Sequence, residues 1–267
     1  MHENEAHDHE AHDGGLAVDL PVLVGRRRAL QLLGGIGLVT LAGCATRGGA
    51  DDGSGVAAVD TDSAIPQETG GPFPGDGSNG PNVLTESGVV RTDITSSFGD
   101  YSGTADGVPL AIDLTVVEAG SGAPLPGATV YVWHCTREGG YSLYSEGVTD
   151  QNYLRGVQEA GADGRLRFTS IFPAAYDGRW PHIHFEVYES LDAATSGGTL
   201  LTTSQIALPE GTCDEVYGTA GYEQSVSNLA RTSLATDMVF SDGVDQQTPT
   251  VSGRVDDDLT IALVVPV

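Results

Sequence analysis

Hydrophobic and polar residues alternate along several short segments from residue 110 onward. The clearest is LAIDLTVVEA, residues 110–119, where apolar side chains recur at nearly every second position. This period is that of a strand with one buried face. Similar alternation, or a short run of β-branched and aromatic residues, predicts strands at 129–135, 165–171, 182–188, 200–208 and 259–267. Glycine- and proline-rich turns separate these segments.

Helical periodicity is almost missing from the same region. Only residues 224–235 have a spacing of apolar positions that allows a short helix. Short strands joined by turns favour a β-sandwich over a parallel sheet with crossover helices. Residues 65–88, rich in proline and glycine, predict an ordered arm without regular structure that Phe73 helps to dock. We therefore predict a mainly β protein, a β-sandwich with long irregular loops and an N-terminal arm.

Residues 1–44 have the pattern of an export segment. Three arginines at 26–28 precede an apolar run, residues 29–42, and then Cys44. As a helix this run is about 21 Å long, shorter than the ~30 Å hydrocarbon core, which favours an export signal over a transmembrane anchor. The paired arginines resemble a twin-arginine signal, and LAGC resembles a lipobox in which Cys44 receives a lipid. The alternative is an ordinary signal cut near Ala42.

The rest of the chain divides into a linker and one domain. Residues 45–64 are small, acidic and glycine-rich, which is typical of a flexible linker. Residues 65–267 are predicted to form a single catalytic domain. If Cys44 carries lipid, Cys135 and Cys213 remain, and an even pair in an exported protein predicts a disulfide. Two buried thiols are the alternative.

The charge of the chain excludes one class of partner. There are 37 acidic and 12 basic residues, which gives a formal net charge of −25. Such a charge repels nucleic-acid phosphates and anionic lipid surfaces. We therefore expect no nucleic-acid partner, and contact with a membrane only through a lipid at Cys44.

A histidine pair supplies the first candidate chemistry. His182 and His184 lie one residue apart in a predicted strand, so their rings project from the same face and can converge on one ion. Such pairs also occur without metal, and the neighbouring residues decide. Tyr176 follows an FPAA turn, and Tyr141 follows a Gly-Gly turn. Because a phenol has a pKa of about 10, only a strongly Lewis-acidic ion such as Fe(III) would hold two phenolates.

Several segments together resemble the intradiol ring-cleavage dioxygenase family, which includes catechol and protocatechuate dioxygenases. They are GAPLPGATVYVWHCTREGGYS, FTSIFPAAYDGRWPHIHFEV, LTTSQIAL and the arm segment PQETGGPF, and the resemblance covers roughly residues 66–208. It implies that one ferric ion is bound by Tyr141, Tyr176, His182 and His184. It also implies that Tyr176 leaves the ion when substrate binds, that Arg179 assists catalysis, and that Gln205 supports the site from outside the ligand set.

The resemblance implies a reaction as well as a site. A catechol-type aromatic diol would be cleaved by O2 between its hydroxyl-bearing carbons, giving a cis,cis-muconate-type diacid. Exported, single-subunit members of the family are the most similar. Two differences from the family leave the substrate open. Only five residues separate Tyr176 from His182, and the arm reads GGPF where the family commonly has EGPY.

Some assignments have alternatives at the level of single residues. Tyr144 competes with Tyr141, because YSLY offers two phenols. Arg179 could instead pair with Asp177 or with a surface carboxylate. His134 is interpreted as structural or exposed.

Two other functions compete with ring cleavage. A cupin-type metalloenzyme also uses an H-x-H strand, but Glu189 has the opposite strand parity from the two histidines, so a bulge would be needed. A non-catalytic, transthyretin-like β-sandwich lipoprotein or binding module would carry a vestigial site.

Overall fold

The computed structural model describes residues 60–267, so the predicted export segment, Cys44 and most of the predicted linker lie outside the described residues. Residues 60–267 form eight strands and three short helices. The strands are β1 (Pro109–Val117), β2 (Thr129–Trp133), β3 (Arg155–Glu159), β4 (Arg165–Ile171), β5 (His182–Tyr188), β6 (Leu200–Ala207), β7 (Thr250–Arg254) and β8 (Asp257–Pro266). The helices are α1 (Leu191–Ser196), α2 (Glu210–Tyr217) and α3 (Glu223–Leu229).

The strands form two four-stranded sheets. The first has the order β4-β1-β8-β7, with β1 parallel to β8, and the second is antiparallel with the order β3-β2-β5-β6. Alternate residues of both sheets, such as Ile112, Val132 and Phe185, pack together in one buried apolar cluster. This arrangement confirms the predicted β-sandwich. Each of the six predicted strand segments contains a strand, whereas β3 and β7 were not predicted.

The second sheet is buried on both faces, and this is what creates an internal site. All seven residues of β5 are buried, including those that point away from the sandwich core. The predicted arm covers this outer face. The Glu68 amide donates to the Thr203 carbonyl of β6 at 2.8 Å, and Gly70 then lies against Trp133 of β2. The outer face of β5 is therefore enclosed by protein.

Hydrogen bonds to the main body begin before the predicted domain boundary at residue 65. The Gly120 amide donates to the Thr61 carbonyl at 2.7 Å, and Gln246 Nε2 donates to the Ser63 carbonyl at 3.0 Å. The end of the predicted linker is thus hydrogen-bonded to the sandwich. None of the helices within residues 60–267 is long and apolar enough to cross a membrane.

The structure contradicts the predicted disulfide between Cys135 and Cys213, which are both buried thiols. The Cys135 thiol faces the Ala174 carbonyl at 3.7 Å, and the Cys213 thiol faces the Leu208 carbonyl at 3.9 Å. The two side chains belong to different apolar clusters, where each packs as a small hydrophobic residue. Burial raises the pKa of the Cys213 thiol, so it stays protonated.

Candidate active site

Four polar side chains meet where β5 begins. His182 Nε2 lies 3.1 Å from His184 Nε2, 3.2 Å from Tyr176 Oη and 3.4 Å from Tyr141 Oη. Two donors that each lie about 2.1 Å from one ion, at angles of about 90–110°, are themselves separated by roughly 3.0–3.4 Å. These spacings fit side chains that share a single metal ion. The structure thus brings together all four residues that the sequence predicted as ligands.

Strand β5 and its neighbours orient the two imidazoles. Trp133 of β2 lies opposite His184 in the ladder and stacks on its ring, with centroids 4.9 Å apart and planes within 4°. His182 Nδ1 donates to the Trp180 carbonyl at 2.5 Å. Because a carbonyl can only accept, Nδ1 carries the proton and Nε2 presents a lone pair to the cluster.

Both histidines are neutral at physiological pH. Burial lowers the pKa of His182 well below its usual 6.5, and the Arg179 cation lowers it further. Burial also lowers the pKa of His184 well below 6.5, followed by the effects of His182 and Arg179. Metals bind the neutral form of imidazole, and the surroundings keep both histidines in this form.

The two tyrosines of the cluster differ in exposure. Tyr141 is only 1% exposed, and the ring of Phe73 from the arm packs against it with centroids 5.1 Å apart. Tyr176 is half-buried. Gly139, two residues before Tyr141, has φ +96°, and a Cβ there would lie 3.2 Å from the Cβ of Tyr176. Any larger residue at this turn would strain the backbone and displace Tyr176.

Tyr144, the alternative to Tyr141, makes other contacts. Its hydroxyl donates to the Asn79 carbonyl at 2.9 Å and accepts from the Gly75 amide at 2.9 Å. Its ring packs on Phe73, with centroids 5.2 Å apart. Tyr144 therefore fastens the arm.

Arg179 and Gln205 lie next to each other beside the cluster. Arg179 is 1% exposed, and its Nη2 donates to Gln205 Oε1 at 2.8 Å. Gln205 faces His184 across the β5–β6 ladder, and its Nε2 donates to the Thr69 carbonyl of the arm at 2.8 Å. Gln205 thus connects the arm to Arg179 and to the histidine strand.

The charge partner of Arg179 is a residue that the sequence did not indicate. Arg179 Nε donates to Asp237 Oδ2 at 2.9 Å, and both side chains are buried. The alternative pairing with Asp177 is wrong, because Asp177 accepts from Arg231 Nη2 at 2.9 Å on the surface. Asp237 lies far along the chain from the H-x-H motif in an irregular segment, so no spacing pattern signals it.

His134 and Glu189, two residues considered in the sequence analysis, have surroundings that do not suit metal binding. His134 is buried, and its ring nitrogens face the Cys135 carbonyl at 2.8 Å and Ser170 Oγ at 2.7 Å, so it is structural. Burial lowers the pKa of His134 to about 4. Glu189, required by the cupin alternative, is exposed. Among residues 60–267 no group of three or more His, Cys, Asp or Glu side chains could hold a metal ion.

Part of the chain is similar to known dioxygenases. The family model described as Dioxygenase (Dioxygenase_C) matches residues 79–196, a segment that contains both tyrosines and both histidines of the cluster. A chlorocatechol 1,2-dioxygenase from Rhodococcus opacus is 44% identical over 57 residues, 21% of this chain and 22% of that protein. A catechol 1,2-dioxygenase from a Pseudomonas species is 41% identical over 56 residues, 21% of this chain and 18% of that protein.

A solved structure extends the comparison to the fold. An intradiol ring-cleavage dioxygenase from Tetranychus urticae superposes with a TM-score of 0.60 at 24% identity, over 76% of this chain and 94% of that one. This likeness extends over most of the described residues and concerns the fold. The chain matches only about a fifth of the length of the curated relatives named above.

Proposed function

We propose that this protein is an intradiol dioxygenase that uses O2 to cleave a catechol-type diol between its hydroxyl-bearing carbons, giving a cis,cis-muconate-type diacid. The observation that carries this proposal is that His184 Nε2, Tyr176 Oη and Tyr141 Oη all lie within 3.4 Å of His182 Nε2. The match of residues 79–196 to the Dioxygenase family model and the similarity of the chain to catechol and chlorocatechol dioxygenases support it.

The cluster fits a ferric ion better than other common metals. Two phenolates and two neutral imidazoles bring two negative charges, and hard phenolate oxygens suit a hard, highly charged ion. Soft thiolates are missing from the described cluster, and so are carboxylates. Bound there, the ion would supply Lewis acidity toward the two catechol oxygens.

The difference in exposure assigns different tasks to the two tyrosines. Tyr141 is buried and its ring is held by Phe73, so it stays in place. Tyr176 is half-buried and is followed by the exposed Asp177, so it has room to turn outward. A departing phenolate is a strong base, and Tyr176 is therefore positioned to take a proton from a substrate hydroxyl.

Arg179 supplies a fixed positive charge beside the cluster. Ring cleavage develops negative charge on the aromatic carbons, and a buried, preorganised cation stabilises such charge more than water does. The burial of Trp133 against His184, and of Phe240 with its ring 6.4 Å from His182, keeps the surroundings dry. The short segment between Tyr176 and His182 keeps Arg179 close to the four donors.

The test is to load the full chain with Fe(III) and record visible absorption, O2 uptake with catechol, and products. We expect a phenolate-to-iron charge-transfer band. Tyr141→Phe and Tyr176→Phe should each shift or bleach it and lower kcat/KM by about 100-fold or more. Tyr144→Phe is the matched control and should keep both the band and the activity.

Two results would overturn the proposal. A colourless protein that binds iron stoichiometrically would remove the tyrosinate ligands. A coloured protein that binds catechol without consuming O2 would favour the non-catalytic binding module. Product analysis separates cleavage between the hydroxyl-bearing carbons from cleavage beside them.

We further propose that the chain is exported and anchored by a lipid at Cys44. The three arginines at 26–28, the short apolar run after them and the LAGC segment support this. A fusion of residues 1–50 to a reporter should be exported only when the arginine pair is intact. Cys44→Ser should release the reporter from the membrane fraction, and a reporter that stays soluble with Cys44 intact would refute the anchor.

A further inference from the structure

Asp237 lies in the irregular segment between α3 and β7 and is completely buried. Its Oδ2 accepts from Arg179 Nε at 2.9 Å and from the Trp180 amide at 2.7 Å. Its Oδ1 accepts from the amides of Val239 at 2.8 Å and Phe240 at 3.1 Å. One carboxylate thus joins the segment that leads into the histidine strand to a segment that is distant in sequence.

The same contacts hold the Arg179 guanidinium from two sides. Asp237 fixes Nε, and Gln205 fixes Nη2 at 2.8 Å. Because a guanidinium is planar and rigid, two bonds at different nitrogens determine both its position and its plane. Gln205 is in turn fixed by the Thr69 carbonyl. The orientation of Arg179 therefore depends on Asp237 at one end and on the arm at the other.

The burial of this ion pair points to function more than to stability. The side chains of Arg179 and Asp237 are 1% and 0% exposed. Buried ion pairs are often no more stabilising than apolar residues of the same volume, because desolvation offsets the attraction. This pair stands beside the four converging donors, where a cation of fixed direction has a catalytic use.

We propose that Asp237 is a positioning residue for ring cleavage, which fixes the guanidinium of Arg179 in the orientation that the reaction needs. This inference rests on the proposed function. Asp237 acts through Arg179 and touches none of the four donors in the contacts described above. The competing explanation is that Asp237 only caps the turn at Val239 and Phe240, in which case its effect would not depend on Arg179.

A double-mutant cycle on the iron-loaded full chain separates these explanations. The variants are Arg179→Gln, Asp237→Asn and the combination of both. Asp237→Asn should lower kcat/KM for catechol by about 10- to 100-fold, because small displacements of a catalytic group cost that much. In the Arg179→Gln background the same substitution should change kcat/KM by less than about 2-fold. Asp242→Asn, an exposed carboxylate in the same segment, is the matched control and should leave activity unchanged.

Spectroscopy supplies a second readout that turnover does not influence. The visible band and the iron content of Asp237→Asn without substrate should equal those of the wild type, because the four donors are intact. The dissociation constant for catechol, measured without O2, should follow the same non-additive cycle. A changed band in the substrate-free protein would show that Asp237 shapes the ligand cluster and would overturn the proposal.

The remaining outcomes also test whether Asp237 acts through Arg179. If Asp237→Asn does not fold, Arg179→Gln is compared with the double variant, since neither leaves the Arg179 cation buried without its carboxylate. A further loss of 10-fold or more in that comparison would contradict positioning through Arg179. If the wild type cleaves catechol but the two substitutions are additive, only this inference fails. If the wild type consumes no O2, the proposed function fails, and the binding cycle still tests Asp237.

Discussion

Tyr141 and Tyr144 lie three residues apart, yet their hydroxyls make different contacts. Tyr141 points to the histidines, whereas Tyr144 is hydrogen-bonded to Gly75 and Asn79 of the arm. Leu143 between them has φ +73°, which lies in the left-handed region that non-glycine residues rarely adopt. The residue type of Leu143 does not predict that conformation. The sequence favoured Tyr141 by its position after Gly-Gly but kept Tyr144 as an alternative.

The protonation of Glu68 should make the stability of the protein depend on pH. Burial, and then the negative charge of Asp242, raise the pKa of Glu68 to about 7. The unfolded chain has a glutamate pKa of about 4.3, so between these values the folded state binds more protons and stability falls as pH rises. Glu68→Gln removes this effect and should still accept from Gln247 Nε2, which lies 3.4 Å from Oε1.

We therefore expect the Tm of Glu68→Gln to match the wild type at about pH 4 and to exceed it by a few degrees at about pH 8. Differential scanning calorimetry across this range measures the difference. Glu215→Gln removes an exposed carboxylate from α2 and is the control. An equal Tm difference at both pH values would mean that Glu68 does not titrate in this window.

At the scale of elements, Arg155 connects β3 with the arm and with the loop that carries Tyr141. It donates to the carbonyls of Phe73 at 2.9 Å, Pro74 at 2.8 Å and Ser142 at 3.0 Å. Further bonds go to Ser142 Oγ at 3.0 Å and Tyr131 Oη at 3.1 Å. One buried side chain thus holds both the cover of the site and the residue that follows Tyr141.

Arg155→Met should loosen the arm while it keeps most of the side-chain volume. Loss of the guanidinium leaves three carbonyls without this donor. We therefore expect a decrease of about 3–5 kcal/mol in the free energy of unfolding. Urea denaturation measures that change, and limited proteolysis should find new cleavage within residues 66–75. Arg165→Met on β4, where the side chain is 75% exposed, should change neither. Unchanged proteolysis in Arg155→Met would show that the arm is held by its apolar contacts.

The strands show which parts of this fold can be predicted from the sequence alone. The bounds predicted for β4 and β5 were correct, because RLRFTSI alternates clearly and HIHFEVY is a β-prone run bounded by proline. β3 was missed since RGVQE has only one large apolar residue and is buried by the arm, a tertiary effect. β7 is exposed at all five positions, so no burial pattern marks it. Asp237 was missed for a similar reason, as its partners come together only in the folded chain.

At the scale of the whole molecule, the sandwich and the net charge act on the site in different ways. The two sheets supply a rigid base, and the second sheet presents its histidine strand to an enclosed outer face. The 37 acidic and 12 basic residues surround the molecule with a negative potential. Under the proposed function, short-range contacts would determine how a catechol is held, whereas long-range charge would determine how readily a charged catechol arrives.

This long-range effect predicts that salt discriminates between substrates. Protocatechuate carries a ring carboxylate and is repelled by a chain of net charge −25, whereas catechol is neutral. The Debye length falls from about 20 Å at about 20 mM salt to about 7 Å at about 200 mM. We therefore expect kcat/KM for protocatechuate to rise about 2- to 5-fold over this range, while kcat/KM for catechol changes little. Steady-state O2 uptake measures both, with sucrose in place of salt as the control for general effects on the protein. A parallel change for both substrates would assign the salt effect to the site itself, because only a charged substrate responds to the field of the whole molecule.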